Sequence, residues 1–325
     1  MSRQRILVVG AGGFIGRHII EQLSATTWAH PIAAGRNITR VVFSGPVEKI
    51  RLDATNPVEV QRVLEQVDAV ISCVAGSARS IVTSGRLLLE SAARRATPPK
   101  VVWLSSIAAY GSATGAIDEG GALLGDLGAY SAAKAEIDTL AAHLPFVIRL
   151  RPGIVYGPES PWWSDRIARL LVHRRLGDLG EEGDGICNLV HVRDVAGAAL
   201  QSLRIDSALG EAFNLGDPSP PTWNGYFAQY ATALEALPLR RISGTRVVLE
   251  LNIAAPLLKL AELLPVTARR AADYPALRPW LITLCRHRIQ LKVDKAEDLL
   301  GIRWLPLSAG LEHTAAWFRA DGRTG

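Results

Sequence analysis

The stretch Ile6-Leu7-Val8-Val9-Gly10-Ala11-Gly12-Gly13-Phe14-Ile15-Gly16 decides how the rest of the chain is read. Four consecutive aliphatic residues describe a strand buried on both faces, and such strands belong in parallel sheets. The run from Phe14 to Leu23 then has helical spacing. The glycines between them have separate tasks. Gly10 permits the tight turn, Gly13 lets the backbone approach a pyrophosphate, and Gly16 lets helix and strand pack closely. Gly12, Phe14 and Ile15 complete the turn. The first N–H groups of a helix have no partners within it and carry partial positive charge, so this turn is expected to hold the phosphates of a dinucleotide.

Outward from that turn, apolar strands alternate with helical patterns. Strands are predicted at Pro31 to Ala34 (a weak one), Val47 to Leu52, Ala69 to Val74, Val101 to Leu104 and Phe146 to Leu150. Helices are predicted at Pro57 to Gln66, Ser80 to Arg95 and Ala129 to His143. This alternation predicts an α/β fold, a Rossmann-type doubly wound parallel sheet. After Arg151-Pro152-Gly153 prolines interrupt the rhythm, which predicts a smaller, mixed α/β C-terminal substrate domain. The expected division is 1–155 for the dinucleotide-binding domain, with the chain returning to it at about 186–216. Residues 156–185 and 217–325 are expected to form the substrate domain.

Composition agrees with a folded enzyme-sized chain. The 325 residues are 48% hydrophobic and 21% charged, which excludes a disordered or fibrous chain. The net charge of +5 is spread over scattered arginine pairs, so a nucleic-acid partner is not expected, whereas an anionic ligand suits it. Cys73, Cys187 and Cys285 show neither paired nor metal-ligand spacing, so no metal is expected and a reducing, cytoplasmic setting is. The apolar run at the N-terminus stops too soon at the glycines to be read as a signal sequence. Val247 to Leu264 is the most membrane-like stretch. Glu250, Asn252, Pro256, Lys259 and Glu262 interrupt it, so it is read as a buried or lid helix, with peripheral membrane contact as the alternative and no integral span.

The cofactor is read from the end of the second strand. An acid there would accept from a ribose hydroxyl and favour NAD, but the chain has Ala33-Ala34-Gly35-Arg36. Arg36 offers a planar fork to a 2′-phosphate, so NADP(H) is expected in preference to NAD(H). Asp53 follows the third strand and is read either as an adenine contact or as the cap of the next helix. Cofactor contacts are also expected at Ala54, at Val74, Ala75 and Gly76, and at Ser105.

The chemistry is read from Gly128-Ala129-Tyr130-Ser131-Ala132-Ala133-Lys134. Tyr130 and Lys134 stand four residues apart and share a helix face. A phenol with an ordinary pKa of ~10 is a poor base at neutral pH, and a nearby ammonium stabilises its phenolate. Ser106, after the fifth strand, can donate to a substrate oxygen and orient it toward Tyr130.

At this point the chain resembles the extended short-chain dehydrogenases/reductases, also called the NAD-dependent epimerase/dehydratase family. The resemblance is carried by VVGAGGFIG, LSSIAAYG, YSAAK, Leu150 to Pro158 (LRPGIVYGP), Leu189 to Ala198 (LVHVRDVAGA), FNLGDPSPPTW and the closing LLGIRWLPLSAGLEHTAAWFR, which together run over nearly the whole length. It implies Tyr130 as acid/base, Lys134 as its partner and Ser106 as the donor to the substrate oxygen. It also implies Pro152, Gly153 and Ile154 beside the nicotinamide, and a bracing segment at His191, Arg193 and Asp194. Relatives dimerise through two helices that correspond to Ser80–Arg95 and Ala129–His143, so a homodimer is implied.

Departures narrow the reaction. Ser106-Ile107-Ala108 stands where sugar-nucleotide dehydratases carry Thr-Asp-Glu, and Arg151-Pro152-Gly153-Ile154 replaces the Asn of many epimerases. The run is more similar to the 3β-hydroxysteroid dehydrogenase and dihydroflavonol reductase branches. Tyr110, Trp162, Trp163, His191 and Trp223 are expected at the substrate pocket with Ser106. An oxidoreductase acting on a secondary alcohol or ketone of a hydrophobic or ring-bearing molecule is expected. A nucleotide-sugar epimerase with tightly held NAD(P) and a non-catalytic NADP-binding sensor are the alternatives.

Overall fold

The computed structural model describes residues 3–242 and 279–320. Its strands are β1 (Gln4–Val9), β2 (Ala29–Gly35), β3 (Glu48–Arg51), β4 (Ala69–Ser72), β5 (Lys100–Leu104), β6 (Gly115–Ile117), β7 (Val147–Pro152), β8 (Ile154–Tyr156), β9 (Leu189–His191), β10 (Ala212–Leu215) and β11 (Ile289–Leu291). The helices used below are α1 (Phe14–Ser24), α2 (Pro57–Leu64), α3 (Ala78–Ala93), α4 (Ala129–Ala142), α5 (Arg166–Val172), α6 (Val192–Arg204), α7 (Trp223–Ala233), α8 (Pro279–Cys285), α9 (Asp294–Leu300) and α10 (Leu307–Ala320).

The six strands expected from their apolar runs pair in parallel and are joined by an unexpected one, β10, in the order β10-β7-β5-β4-β1-β2-β3. The order reverses between β1 and β4, and the crevice at such a switch point, beyond the strands' carboxyl ends, is where open α/β sheets bind ligands. The Gly10 turn leaves β1 at that point. β2 is no weak strand: it pairs with β1 at six consecutive positions, from Gln4 opposite Ala29 to Val9 opposite Ala34. Its Pro31 hid it in the sequence. β10, the seventh strand, is only Ala-Phe-Asn-Leu and pairs with β7. An Asn inside so short a run masks strand character until its hydrogen bonds are known.

The chain divides into two compact units. The first comprises Met1–Gly153, Val192–Pro218 and Leu291–Trp304; the second comprises Ile154–His191, Ser219–Gln290 and Leu305–Gly325. The expected return at 186 is therefore corrected to Val192, and 291–304 belong to the first unit. β9 explains the first shift, because Leu189 to His191 pair with Ile154 to Tyr156 of β8 inside the second unit. α9 explains the other. Within the first unit it packs against β10, with Lys295 Nζ 5.2 Å from the Phe213 ring centroid and 2.7 Å from Glu211.

The first unit's core gathers Leu7, Ile32, Val70, Val101, Trp103, Ile137 and their neighbours. Each fully buried aliphatic side chain contributes roughly 1.5–3 kcal/mol relative to exposure. The second unit is held by an aromatic cluster around Trp223, Tyr226, Phe227 and Tyr230 of α7, with Tyr226 and Tyr230 stacked at 5.8 Å. Among the described residues no helix is long and apolar enough to cross a membrane. The helix expected at Val247–Leu264 lies outside the described residues.

Candidate active site

The turn after β1 has the form the sequence predicted. Gly10 sits at φ +83°, and a Cβ there would lie 2.9 Å from the Cys73 carbonyl oxygen. A Cβ at Gly16 would run into the backbone of Gly10 and Ala11. The close approach at Gly16 is thus between α1 and its own entry turn. α1 opens on Gly13, with φ −81° and ψ 170°, without any side-chain cap and without an acid in its first turn. By contrast, Asn56 closes α2 and Ser77 closes α3 with side-chain hydrogen bonds. An open helix end with small residues around it fits an anionic pyrophosphate.

Arg36 follows β2 and is exposed. Asp53 Oδ1 accepts from Thr55 N–H at 3.0 Å and from Thr55 Oγ1 at 2.7 Å. These bonds, followed by the nearby Arg36 charge, hold its carboxyl below the usual range. The cap of α2 is Asn56, so the capping alternative for Asp53 is corrected. Ala54 and Val74 pack against the core, while Ala75 and Gly76 lie exposed before α3. Ser105 is buried, and its hydroxyl has no hydrogen-bond partner among the described residues.

Ser106, Tyr130 and Lys134 come together in the first unit. Ser106 begins the short turn Ile107–Tyr110, and its Oγ accepts from Ala108 N–H at 3.1 Å. Its hydroxyl is near enough to Tyr130 to lower that phenol. Tyr130, in the first turn of α4, is 46% exposed. Lys134, one turn on, is buried; its Nζ donates to the Leu104 carbonyl at 2.7 Å and lies 5.8 Å from the Tyr130 ring centroid. Burial pushes the ammonium down to about 8, against the opposing influence of Cys73 and Asp138. Desolvation raises the Tyr130 phenol, and the neighbouring Ser106 hydroxyl pulls it part of the way back. The expectation that the ammonium brings the phenol toward neutrality is therefore corrected for the protein alone. The phenol is a protonated group at neutral pH, and Ser106 is the residue that lowers it.

Of the expected pocket residues, Tyr110 lies in the first unit and Trp162, Trp163, His191 and Trp223 in the second. Tyr110 is wholly buried. Its hydroxyl donates to Asn214 Oδ1 at 2.7 Å and accepts from Arg151 at 2.8 Å, so it belongs to the interior and not to a pocket wall. Trp223 is likewise core, packed against Trp163 at 5.8 Å in the second unit. Trp162 is half exposed and meets Trp280 edge-on at 6.3 Å. His191 is buried in β9 with its ring edge-on to Tyr156 at 5.2 Å. Pro152 ends β7, the Gly153 amide bonds the Leu215 carbonyl at 2.9 Å, and Ile154 opens the second unit. The sequence reading passed over Arg151 and Asp138, which form a buried ion pair at 2.8 Å. The expected strand stops at Leu150, and only the structure carries β7 on through Arg151 to Pro152, where a buried arginine must be paired.

Comparison with known proteins agrees with this geometry. The family model described as the NAD dependent epimerase/dehydratase family matches residues 6–216. A 3-diazoavenalumate denitrifying reductase of Streptomyces sp is 28% identical over 260 residues, covering 73% of this chain and 84% of the relative. A 2′-dehydrokanamycin reductase of Streptomyces kanamyceticus is 26% identical over 277 residues, covering 82% of this chain and 75% of the relative. Among solved structures, a UDP-glucuronic acid 4-epimerase from Bacillus cereus in complex with NAD superposes with a TM-score of 0.73 at 19% identity, covering 97% of this chain and 99% of that one. A UDP-glucose 4-epimerase from Thermotoga maritima gives 0.73 at 18% identity, with coverage of 98% and 99%. The structural likenesses establish the fold.

Proposed function

The chain belongs to the NAD dependent epimerase/dehydratase family, and from that premise we propose that it is an NADP(H)-dependent reductase of a ketone on a hydrophobic or ring-bearing small molecule. At the coarser level it is an NAD(P)-dependent enzyme of the short-chain dehydrogenase/reductase type, with reductases among its relatives. The observation that carries the finer reading is the gathering of Ser106, Tyr130 and a buried lysine: Lys134 Nζ lies 5.8 Å from the Tyr130 ring centroid and donates to Leu104, two residues before Ser106. A nicotinamide cofactor supplies the hydride. Ser106 holds the carbonyl oxygen, and Tyr130 donates the proton that makes it an alcohol. A phenol raised above its ordinary pKa stays protonated at neutral pH, which suits donation and hence reduction. Lys134 replaces the proton and orients the cofactor's ribose. The exposed Arg36, with no acid at the end of β2, supports NADP(H) over NAD(H).

The test is a panel of ketones and alcohols with NADPH and NADH, for wild type and Arg36→Ala. A kcat/KM advantage for NADPH that shrinks in Arg36→Ala is expected; an NADH preference that survives the substitution removes the cofactor assignment. Turnover of no panel member would leave the epimerase reading, which the full-length likeness to the NAD-bound epimerase supports. That reading expects nicotinamide cofactor to copurify and not exchange.

A further inference from the structure

Arg151 stands near the end of β7, immediately before Pro152 and Gly153. Its buried guanidinium makes four hydrogen bonds to three other segments. Nε and Nη2 meet the two oxygens of Asp138 in α4 at 2.9 and 2.8 Å. Nη1 meets the Tyr110 hydroxyl and the Glu119 carbonyl, each at 2.8 Å. Asp138 is fully buried and also faces Arg149 at 3.9 Å. From Tyr110 the network continues to Asn214 in β10, whose N–H is held by Glu119 Oε1 at 2.8 Å. An apolar cluster of equal volume would bury these segments as well. What it would lack is the fixed register of a planar fork, which a guanidinium imposes on a carboxylate.

The segments joined are those that carry the reacting groups. Tyr110 ends the turn that Ser106 begins. Asp138 lies one helical turn beyond Lys134 and two beyond Tyr130. Pro152 and Gly153 follow Arg151 directly in the chain. We propose that Arg151 is a positioning residue: by tying the Tyr110 turn and α4 to the end of β7, it sets where Ser106 and Tyr130 stand relative to each other. The inference rests on the proposed roles of Ser106 and Tyr130. It needs no contact between Arg151 and a ligand. A shift of about 1 Å at a reacting group reduces rate by about 100-fold, so a network remote from the chemistry is sufficient to govern it.

The test uses the full chain carrying ¹³C at the tyrosine ζ carbons, in wild type and Arg151→Lys, which keeps the cation and loses the fork. The Tyr130 resonance is identified by its absence from Tyr130→Phe. Ser106 lowers the Tyr130 pKa and Lys134 lies 5.8 Å from its ring, so a displacement of the Ser106 turn or of α4 is expected to move the Tyr130 titration to higher pH. With cyclohexanone as the carbonyl probe, kcat is expected to fall about 10- to 100-fold with KM for NADPH little changed. A purely architectural Arg151 would lower the unfolding midpoint and leave the Tyr130 titration where it is in wild type, and that outcome overturns the proposal. Should Arg151→Lys not fold, Tyr110→Phe removes one hydroxyl from the same network and is read by the same titration. Wild-type turnover by Tyr130→Phe would instead sink the functional reading, while the titration still decides whether Arg151 governs the placement of Ser106 and Tyr130.

Discussion

Tyr130 and Lys134 are both shifted by burial, in opposite directions, and each shift makes a prediction. Tyr130 is raised, which fits its proposed role as the acid of a reduction at neutral pH. Ketone reduction is therefore expected to fall only at alkaline pH, whereas alcohol oxidation, which needs the phenolate, keeps rising there. Parallel kcat profiles in the two directions check this, and coincident optima would contradict it. Tyr130→Phe is expected to lose about 10²- to 10⁴-fold in kcat while retaining its unfolding midpoint. Lys134 is lowered from 10.5 to about 8. Below pH 8 both folded and unfolded chains carry the proton, and the fold bears the full penalty of a buried ammonium. Between pH 8 and 10.5 only the unfolded chain keeps it, so this penalty fades as pH rises. Lys134→Met is thus expected to be more stable than wild type at pH 7, by about 2–3 kcal/mol, and to lose the advantage by pH ~10.5. It should also be nearly inactive. Denaturant unfolding at the two pH values decides it; equal stability at pH 7 would refute the sign.

At the level of elements, two glycines act through what a Cβ would strike. At Gly16 the obstacle is the backbone of Gly10 and Ala11, which cannot move without opening the turn. Gly16→Val is expected to abolish NADPH binding, measured by fluorescence titration, whether or not the chain still folds. At Gly85 of α3 a Cβ would lie 2.9 Å from Ile137 of α4 and 3.0 Å from Trp103 of β5. Both are fully buried side chains, so Gly85→Val is expected to cost about 1–3 kcal/mol of stability. An unchanged unfolding midpoint would show that α3 and α4 can separate freely. Glycine turns and apolar strands were legible because their physics is local. The roles of Tyr110 and Trp223 were not, since an aromatic side chain in a core and one on a pocket wall look alike in sequence.

At the scale of the whole molecule, the first unit draws on three separated stretches of chain. Its last stretch, Leu291–Trp304, lays α9 against β10 and α6. Replacing 294–300 by a Gly/Ser linker of equal length removes the buried Ala296 and Leu300 and leaves the second unit's residues intact. The thermal midpoint is expected to fall by about 5 °C or more, since a loss of roughly 2–3 kcal/mol accompanies those side chains. An unaltered midpoint would mean α9 does not support the sheet. This interleaving escaped the sequence reading because the contact between residues 211 and 295 is set by no local pattern.

The sequence determined the sheet, the glycine turn and the Tyr130–Lys134 helix, because strand burial, turn geometry and helical periodicity are properties of neighbouring residues. Only the tertiary structure decided that Lys134 lies under the Tyr130 ring, that burial lowers Lys134 and raises Tyr130, and that Arg151 is paired by groups from α4, the Tyr110 turn and Glu119. Solvation and charge pairing depend on what surrounds a side chain in space, and those surroundings come from segments far apart along the chain.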